Sequence, residues 1–488
     1  MTLHAPLLSS APKTEPAPTP SYISTKRQVP YQKYLPWINR GKTATCRPEF
    51  SFFPTSASDL QEIVCLARET GKQVRVVGQG HAWSELVPTH DMLVFIEQLN
   101  EVSMDLSDPD NPLVIVEAGA DVRQVNNVLE QYGYALPTNV VMEHGSWGGL
   151  LATGSHGSGW NNQSLSDSIQ WMEIVDGIGR LRRFETGIES EEVMNASRLH
   201  LGMFGITYRV ALRVEKSWRV YEHDCEIPLE AAIDHMKGLV TDHESVEFHW
   251  WAFTDKVWMK SWDRTELPIT DKPRVSKWQR IWSYVISQLQ GVIFFILHRF
   301  PVITPILCRC AYWLAPTRGR KVVEIVEAIH AWRAIEGLQT GCMEFAFKID
   351  EEFEEVKKAF RIVLDKVDAY AAQGKFPMNM SMNLRFIAQS DCLLSPAQGP
   401  GHTCYIEILG NSDRELWKSF SAEVALEWLK LPGAKPHWGK EFQHVPGIIS
   451  YLKDVSKEQV STFTSIKKNL GMDPDGIFMN PLLNQLFI

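Results

Sequence analysis

The chain has no CxxC pair, and its eight cysteines, at 46, 65, 225, 308, 310, 342, 392 and 404, are too sparse among 488 residues for a disulfide scaffold. Free buried thiols in a reducing, intracellular setting are the expectation. HExxH, a cysteine-rich zinc pattern and a G-x-S-x-G elbow are all missing, which removes the usual hydrolase and metalloenzyme readings and leaves no metal site to expect. A basic excess is missing too. The formal net charge of −9 argues against a nucleic-acid partner. No secretory h-region stands near the N-terminus, and no apolar run reaches the ~20 residues of a spanning helix. One absence is local: residues 272–323 contain no Asp or Glu, and Arg, Lys and His punctuate a largely apolar and aromatic run. Such a stretch either lies in a membrane interface as a peripheral contact, about 280–315, or supplies core helices.

What is present is a globular composition, 44% hydrophobic and 22% charged, in a chain long enough for two or three domains. Residues 1–35, rich in Pro, Ser and Thr, read as a flexible tail. Ser58 with Gln61 three residues on reads as a capping box for a helix to Thr70, closed by Gly71. Strands are expected at 74–77, 92–96 and 113–117, and Asp121 caps a helix that stops at Gly133. Residues 145–159 hold six glycines in fifteen, too many for a regular element. A hairpin follows over 169–185, then a strand over 204–214. The first 140 residues therefore alternate strands and helices, an α/β or α+β arrangement, and the first domain ends near 216. Beyond them, strands at 246–253, 343–349, 378–388 and 404–409, with helices at 351–372 and 412–429, suggest one sheet with helices on a face.

Two glycine turns carry the chemistry. In Val74-Arg75-Val76-Val77-Gly78-Gln79-Gly80-His81-Ala82-Trp83, a short buried strand delivers bare backbone N–H groups, which suit a phosphate. It is no Rossmann fingerprint, because Trp83 stands where the third glycine belongs. A lone Gly-x-Gly turn is structural in most proteins. A second turn, Thr153-Gly154-Ser155-His156-Gly157-Ser158-Gly159, makes that bland reading weaker. His81 is placed to hydrogen-bond a cofactor or be joined to it. Pro436-His437-Trp438-Gly439-Lys440 reads as a surface loop or as an oxyanion stabiliser. Asn383 and Arg385 alternate onto one face of a strand, and an inward Arg is costly unless paired or functional.

In order, the Val-Gly-x-Gly-His turn, Ala-Thr-Gly-Ser-His-Gly-Ser-Gly, Leu-Leu-Ser-Pro at 393–396, Pro-His-Trp-Gly-Lys and the terminal Asp-Pro-Asp-Gly-Ile-Phe-Met-Asn resemble the aldonolactone oxidases, with alditol oxidases as relatives. The resemblance covers about residues 45–488. It implies an α+β fold: a two-part FAD-binding domain of the vanillyl-alcohol-oxidase type (36–216), a substrate-covering cap with a mixed or antiparallel sheet and helices (217–435, a basic helical insertion at about 275–320), and a C-terminal segment returning to the flavin domain (436–488). It implies FAD held by Val77, Gly78, Gln79, Gly80, His81 and Ala82, by Gly149, Thr153, Gly154, His156 and Gly157, and by Ile206, with His81 the common covalent attachment point. It implies oxidation of a sugar lactone or polyol by hydride transfer to flavin N5. Oxygen, reduced to H2O2, or another acceptor then takes the electrons. Lys440, with His437 in its motif, would stabilise the substrate oxygen, Arg385 would hold a polar edge of flavin or substrate, and Ser146 would bond substrate. Two departures stand out. Asn383 replaces the family's usual Glu, and Val140 and Val141 wall a spot where a small residue is frequent, which could favour a dehydrogenase. A non-catalytic, membrane-docked flavoprotein is the reading from another class.

Overall fold

The computed structural model describes residues 29–270, 285, 295–314, 319–330, 340–410 and 413–488. The expectations for 1–28 and for most of 272–294 lie outside them. Tyr31–Lys33, placed in the expected tail, is instead a strand paired with Phe50–Phe52, because Tyr31 packs against the Phe50 and Phe52 rings.

Among the described residues three larger sheets form. The first runs Tyr31–Lys33, Phe50–Phe52, Met92–Phe95, Val74–Val77, with the last three strands parallel. A parallel strand covered on both faces reads as a continuous apolar run. Val-Arg-Val-Val fits that rule, and Arg75 is the exception. Against it packs the helix Ala57–Thr70. Its cap is Ser56, whose hydroxyl accepts the Asp59 N–H, not Ser58 as the spacing suggested. Gln61 reaches across to the Gly179 carbonyl, at 2.8 Å. Gly71 ends the helix at φ 64°, where a Cβ would be strained.

The second sheet is antiparallel: Leu181–Glu185, Ile169–Val175, Ile206–Arg213, Leu113–Glu117, Val102–Asp105. Over it lies Val122–Tyr132, whose Asp121–Gln124 capping box and Gly133 stop are as expected. The glycine-rich 145–159 stretch is not free of regular structure. Trp147–Ala152 is a short helix, since Trp147, Leu150 and Leu151 bury one face and outweigh the ~1 kcal/mol that each glycine costs. Gly148 is needed there: a Cβ would meet the Ala118 side chain at 2.8 Å.

The third sheet has eight antiparallel strands, in the order Gly319–Glu324, Arg219–Pro228, Lys256–Thr265, Ser245–Trp251, Ser381–Ile387, Thr403–Gly410, Gly341–Lys348, Lys435–Pro436. The helices Glu354–Ala371 and Arg414–Trp428 cover one face, where Trp250 meets Phe360 and Trp428 meets Phe345 and Phe347. Alternation then sends the intervening residues to the opposite face. Those are Glu247 and His249, Asn383 and Arg385, Tyr405 and Glu407, and Glu344. After this sheet the chain returns to the first one. Val74 N–H reaches the Ile477 carbonyl at 2.7 Å, and Asn480 bonds the carbonyls of Glu85, Leu86 and Pro88.

No helix among the described residues is long and apolar enough to cross a membrane. The helix Thr304–Leu314 buries Cys308 and exposes Ile306 and Trp313, and Phe295, Phe300 and Val302 beside it are exposed as well.

Candidate active site

A cavity of about 490 Å³ opens where the first glycine turn faces the polar side of the eight-stranded sheet. The turn is built for close approach. A Cβ on Gly78 would lie 1.8 Å from the Ser146 hydroxyl, and Gly80 has φ 68°. Val77 to Ala82 all line the cavity, with Ser146, Gly149, Thr153 and His156 beside them. The His81 imidazole stays neutral, because burial and then Arg40 lower its pKa to about 3. Its Nε2 is buried with no hydrogen-bond partner among the described residues.

Trp83, the residue that spoiled the Rossmann pattern, ties the two walls together. Its N–H bonds the Gly439 carbonyl at 2.7 Å, its indole bonds the Thr340 carbonyl at 2.8 Å, and its ring lies 4.6 Å from Lys440 Nζ. Lys440 is thereby aimed at the cavity. It forms a 2.6 Å ion pair with Glu407. Burial works to discharge this ammonium, yet the negative charges around it, the carboxylates Glu407 and Glu344 among them, raise its pKa above the ordinary lysine value.

Register explains the rest. Glu247 lies opposite Arg385, Asn383 opposite Glu407, and Glu344 opposite Glu407. Two facing carboxylates repel, and Arg385 sits among three of them: 3.4 Å from Glu247, 3.7 Å from Glu344 and 3.7 Å from Glu407. Burial would protonate Glu247, but His249 and Arg385 hold it ionised with a pKa of about 2. His437 accepts the Gly439 N–H at Nδ1, and burial lowers its pKa to about 3. His156 stacks on Tyr405 at 3.6 Å between centroids. His156, Glu344 and His437 also place ligand atoms within 4.8 Å of one another. Arg385 and Lys440 already act on Glu344, so a metal ion there would face two cations. We read the trio as part of the charged wall, with His156 3.6 Å from Glu344.

All five expected catalytic side chains, Ser146, Asn383, Arg385, His437 and Lys440, therefore line one cavity. Three expected cofactor residues do not. Gly154 packs toward Leu199, Gly157 toward the Asn139 carbonyl, and Ile206 is buried in the core between the first two sheets. Each serves the packing behind the wall. Glu344 and Glu407 were missed. Their signal was available: each is a lone acid in an apolar strand, as conspicuous by cost as Arg385.

These residues suit a dinucleotide: a cradle that a side chain would fill, an imidazole whose buried Nε2 has no hydrogen-bond partner among the described residues, and cations opposite. The comparisons agree. An FAD binding domain model matches residues 48–185, and a D-arabinono-1,4-lactone oxidase model matches 210–486. The chain is 26% identical over 460 residues to an L-gulonolactone oxidase of Scyliorhinus torazame, covering 92% of this chain and 97% of that one. It is 30% identical over 502 residues to a D-arabinono-1,4-lactone oxidase of Kluyveromyces lactis, covering 89% and 93%. Its fold is similar to that of the cholesterol oxidase of B. sterolicum, at TM-score 0.81 and 16% identity, covering 97% and 100%.

Proposed function

The chain belongs to the D-arabinono-1,4-lactone oxidase family, and from that premise we propose that this FAD-dependent oxidoreductase oxidises a secondary alcohol of a sugar 1,4-lactone. The observation that carries the reading is one cavity walled by the Val77–Ala82 turn on one side and by Lys440 and Arg385 on the other. FAD, when bound, supplies the acceptor for the hydrogen that leaves carbon as hydride. The protein's share is binding and charge. Val77 to Ala82, Gly149, Thr153 and His156 hold the cofactor, and Ser146 offers its hydroxyl to the substrate. Lys440 stabilises the negative charge that develops on the substrate oxygen as its proton passes to solvent, an interaction strongest in the transition state. Arg385 keeps the neighbouring carboxylates ionised and presents its remaining N–H groups to a polar edge. His437, neutral, can only exchange hydrogen bonds at neutral pH. Anaerobic mixing with lactones and polyols tests the reading: a lactone should bleach the flavin. Bleaching by polyols alone would move the assignment to an alditol oxidase, and bleaching by no alcohol would overturn it.

Val140 and Val141 line the cavity wall, which favours a second reading, a lactone dehydrogenase with restricted oxygen access. The rate at which oxygen reoxidises the reduced enzyme separates the two.

His81 is proposed as the covalent attachment point, on the strength of its neutral, unpartnered Nε2. The flavin should stay with acid-precipitated wild-type protein and leave with His81→Ala. Complete release from the wild type would refute the linkage and leave the fold untouched. The exposed Phe295, Phe300, Val302, Ile306 and Trp313, beside Arg299 and Arg309, are proposed to rest on an anionic bilayer. The protein should float with phosphatidylserine liposomes. Trp313→Ser with Phe300→Ser should abolish flotation, and a wild type that stays at the bottom would disprove the contact.

A further inference from the structure

Glu407 is engaged at both oxygens. One receives Lys440 Nζ at 2.6 Å and Cys342 Sγ at 3.1 Å, and the other accepts Asn383 Nδ2 at 2.9 Å. Asn383 is itself oriented, since its Oδ1 meets His249 Nδ1 at 2.8 Å, and His249 Nε2 lies 3.3 Å from Glu247. An amide has fixed donor and acceptor ends, so accepting from His249 commits its NH2 to Glu407. A continuous chain of contacts thus runs from Glu247 across the sheet to Lys440.

We propose that Glu407, braced by Asn383, is a positioning residue that keeps Lys440 charged and directed at the substrate oxygen. The proposal deepens the lactone-oxidation reading and rests on it for the word substrate. An ammonium taken out of water without a counter-charge loses its proton. The groups facing Lys440 are Glu407 from Thr403–Gly410, Cys342 and Glu344 from Gly341–Lys348, and His437, His81 and Trp83 from the loops. Burial keeps the Cys342 thiol protonated, and both imidazoles are neutral. Glu344 lies against His156 and Arg385. Glu407 is left as the carboxylate in direct contact with the ammonium. Asn383 keeps that carboxylate from rotating away without adding a second negative charge.

Two measurements on FAD-loaded protein test this. The first is acetylation of Lys440 by acetic anhydride across pH 6–10, mapped by mass spectrometry, which needs no turnover. Wild-type Lys440 should resist the reagent. Glu407→Gln should raise the rate at pH 8 on the order of tenfold or more, one pKa unit being a factor of ten in free amine. The second is the pH dependence of anaerobic flavin reduction, where Glu407→Gln should gain an alkaline limb at least one unit below any in the wild type. Glu407→Asp, milder should the Gln variant fold poorly, should shift both readouts in the same direction by less. Asn383→Glu combined with Glu407→Asn, which returns a carboxylate from the neighbouring strand, should reverse most of the change. Acetylation rates and pH limbs identical in wild type and both Glu407 variants would overturn the proposal. A wild type bleached by no lactone would sink the lactone reading, while the acetylation result would still judge the Lys440–Glu407 coupling.

Discussion

Lys440→Met is expected to slow lactone-driven flavin reduction by about 10²- to 10³-fold, the usual loss when one donor to a developing oxyanion is removed. Methionine keeps the apolar stem and so preserves packing beside Trp83. What it removes is the charge. The effect should fall on the maximal reduction rate more than on the lactone concentration that half-saturates it, because the interaction strengthens as the substrate oxygen loses its proton. The FAD should remain, since its proposed cradle is the turn from Val77 to Ala82 on the facing wall. A second consequence is structural. Glu407 loses its 2.6 Å partner, and leaving one member of a buried ion pair alone costs about 3–5 kcal/mol. Arg385 at 3.7 Å from Glu407 offsets part of that. Stopped-flow reduction read beside flavin content and a melting curve separates these effects. An unchanged reduction rate in a folded, yellow Lys440→Met protein would remove Lys440 from the chemistry.

Arg75→Met should destabilise the fold and, through it, the first glycine turn. Arg75 stands in the middle of Val74–Val77, and its guanidinium donates to three carbonyls: Leu86 at 2.8 Å, Phe478 at 2.5 Å and Leu201 at 3.0 Å. Burial lowers its pKa to about 10, so it stays charged at neutral pH, helped by Asp473. These three carbonyls belong to three distant stretches of chain. Arg75 therefore fastens the C-terminal return and the 199–202 segment onto the strand that leads into the first glycine turn. Each buried acceptor left unsatisfied costs about 1–3 kcal/mol, so a total of about 3 kcal/mol or more is expected. That corresponds to a melting shift of roughly 5 °C or more in a domain of this size. Because Gly78 follows Val77 directly, flavin content should drop as well. Arg75→Lys should rescue poorly, since one ammonium cannot reach three fixed carbonyls as a planar fork does. A melting temperature and flavin content equal to wild type would show that the three bonds are dispensable.

Arg75 also shows where a sequence stops being readable. Its cost was visible as a charge inside an apolar strand, but its partners lie up to 403 residues away in the chain. Asn383 is a second case. Read along the strand, it is a missing carboxylate. Read across the sheet, it faces Glu407, which supplies one at 2.9 Å. The helix at Trp147–Ala152 is a third. Glycine content argued against it, and three buried apolar side chains decided otherwise. Ser56 in place of Ser58 is a smaller error of the same kind, a cap chosen by which hydroxyl meets an N–H, not by spacing.

The sequence by itself determined the local chemistry: which strands are apolar, where Gly71 and Gly133 stop helices, that two turns are bare of side chains, and which family the ordered motifs resemble. These follow from forces that act over a few residues. Tertiary structure alone decided that Trp83 joins the glycine turn to Gly439, that three glutamates gather around Arg385, and that Lys440 meets Glu407 at 2.6 Å. Strand order and register set those contacts, and both depend on burial summed over the whole sheet, which no single stretch of chain encodes.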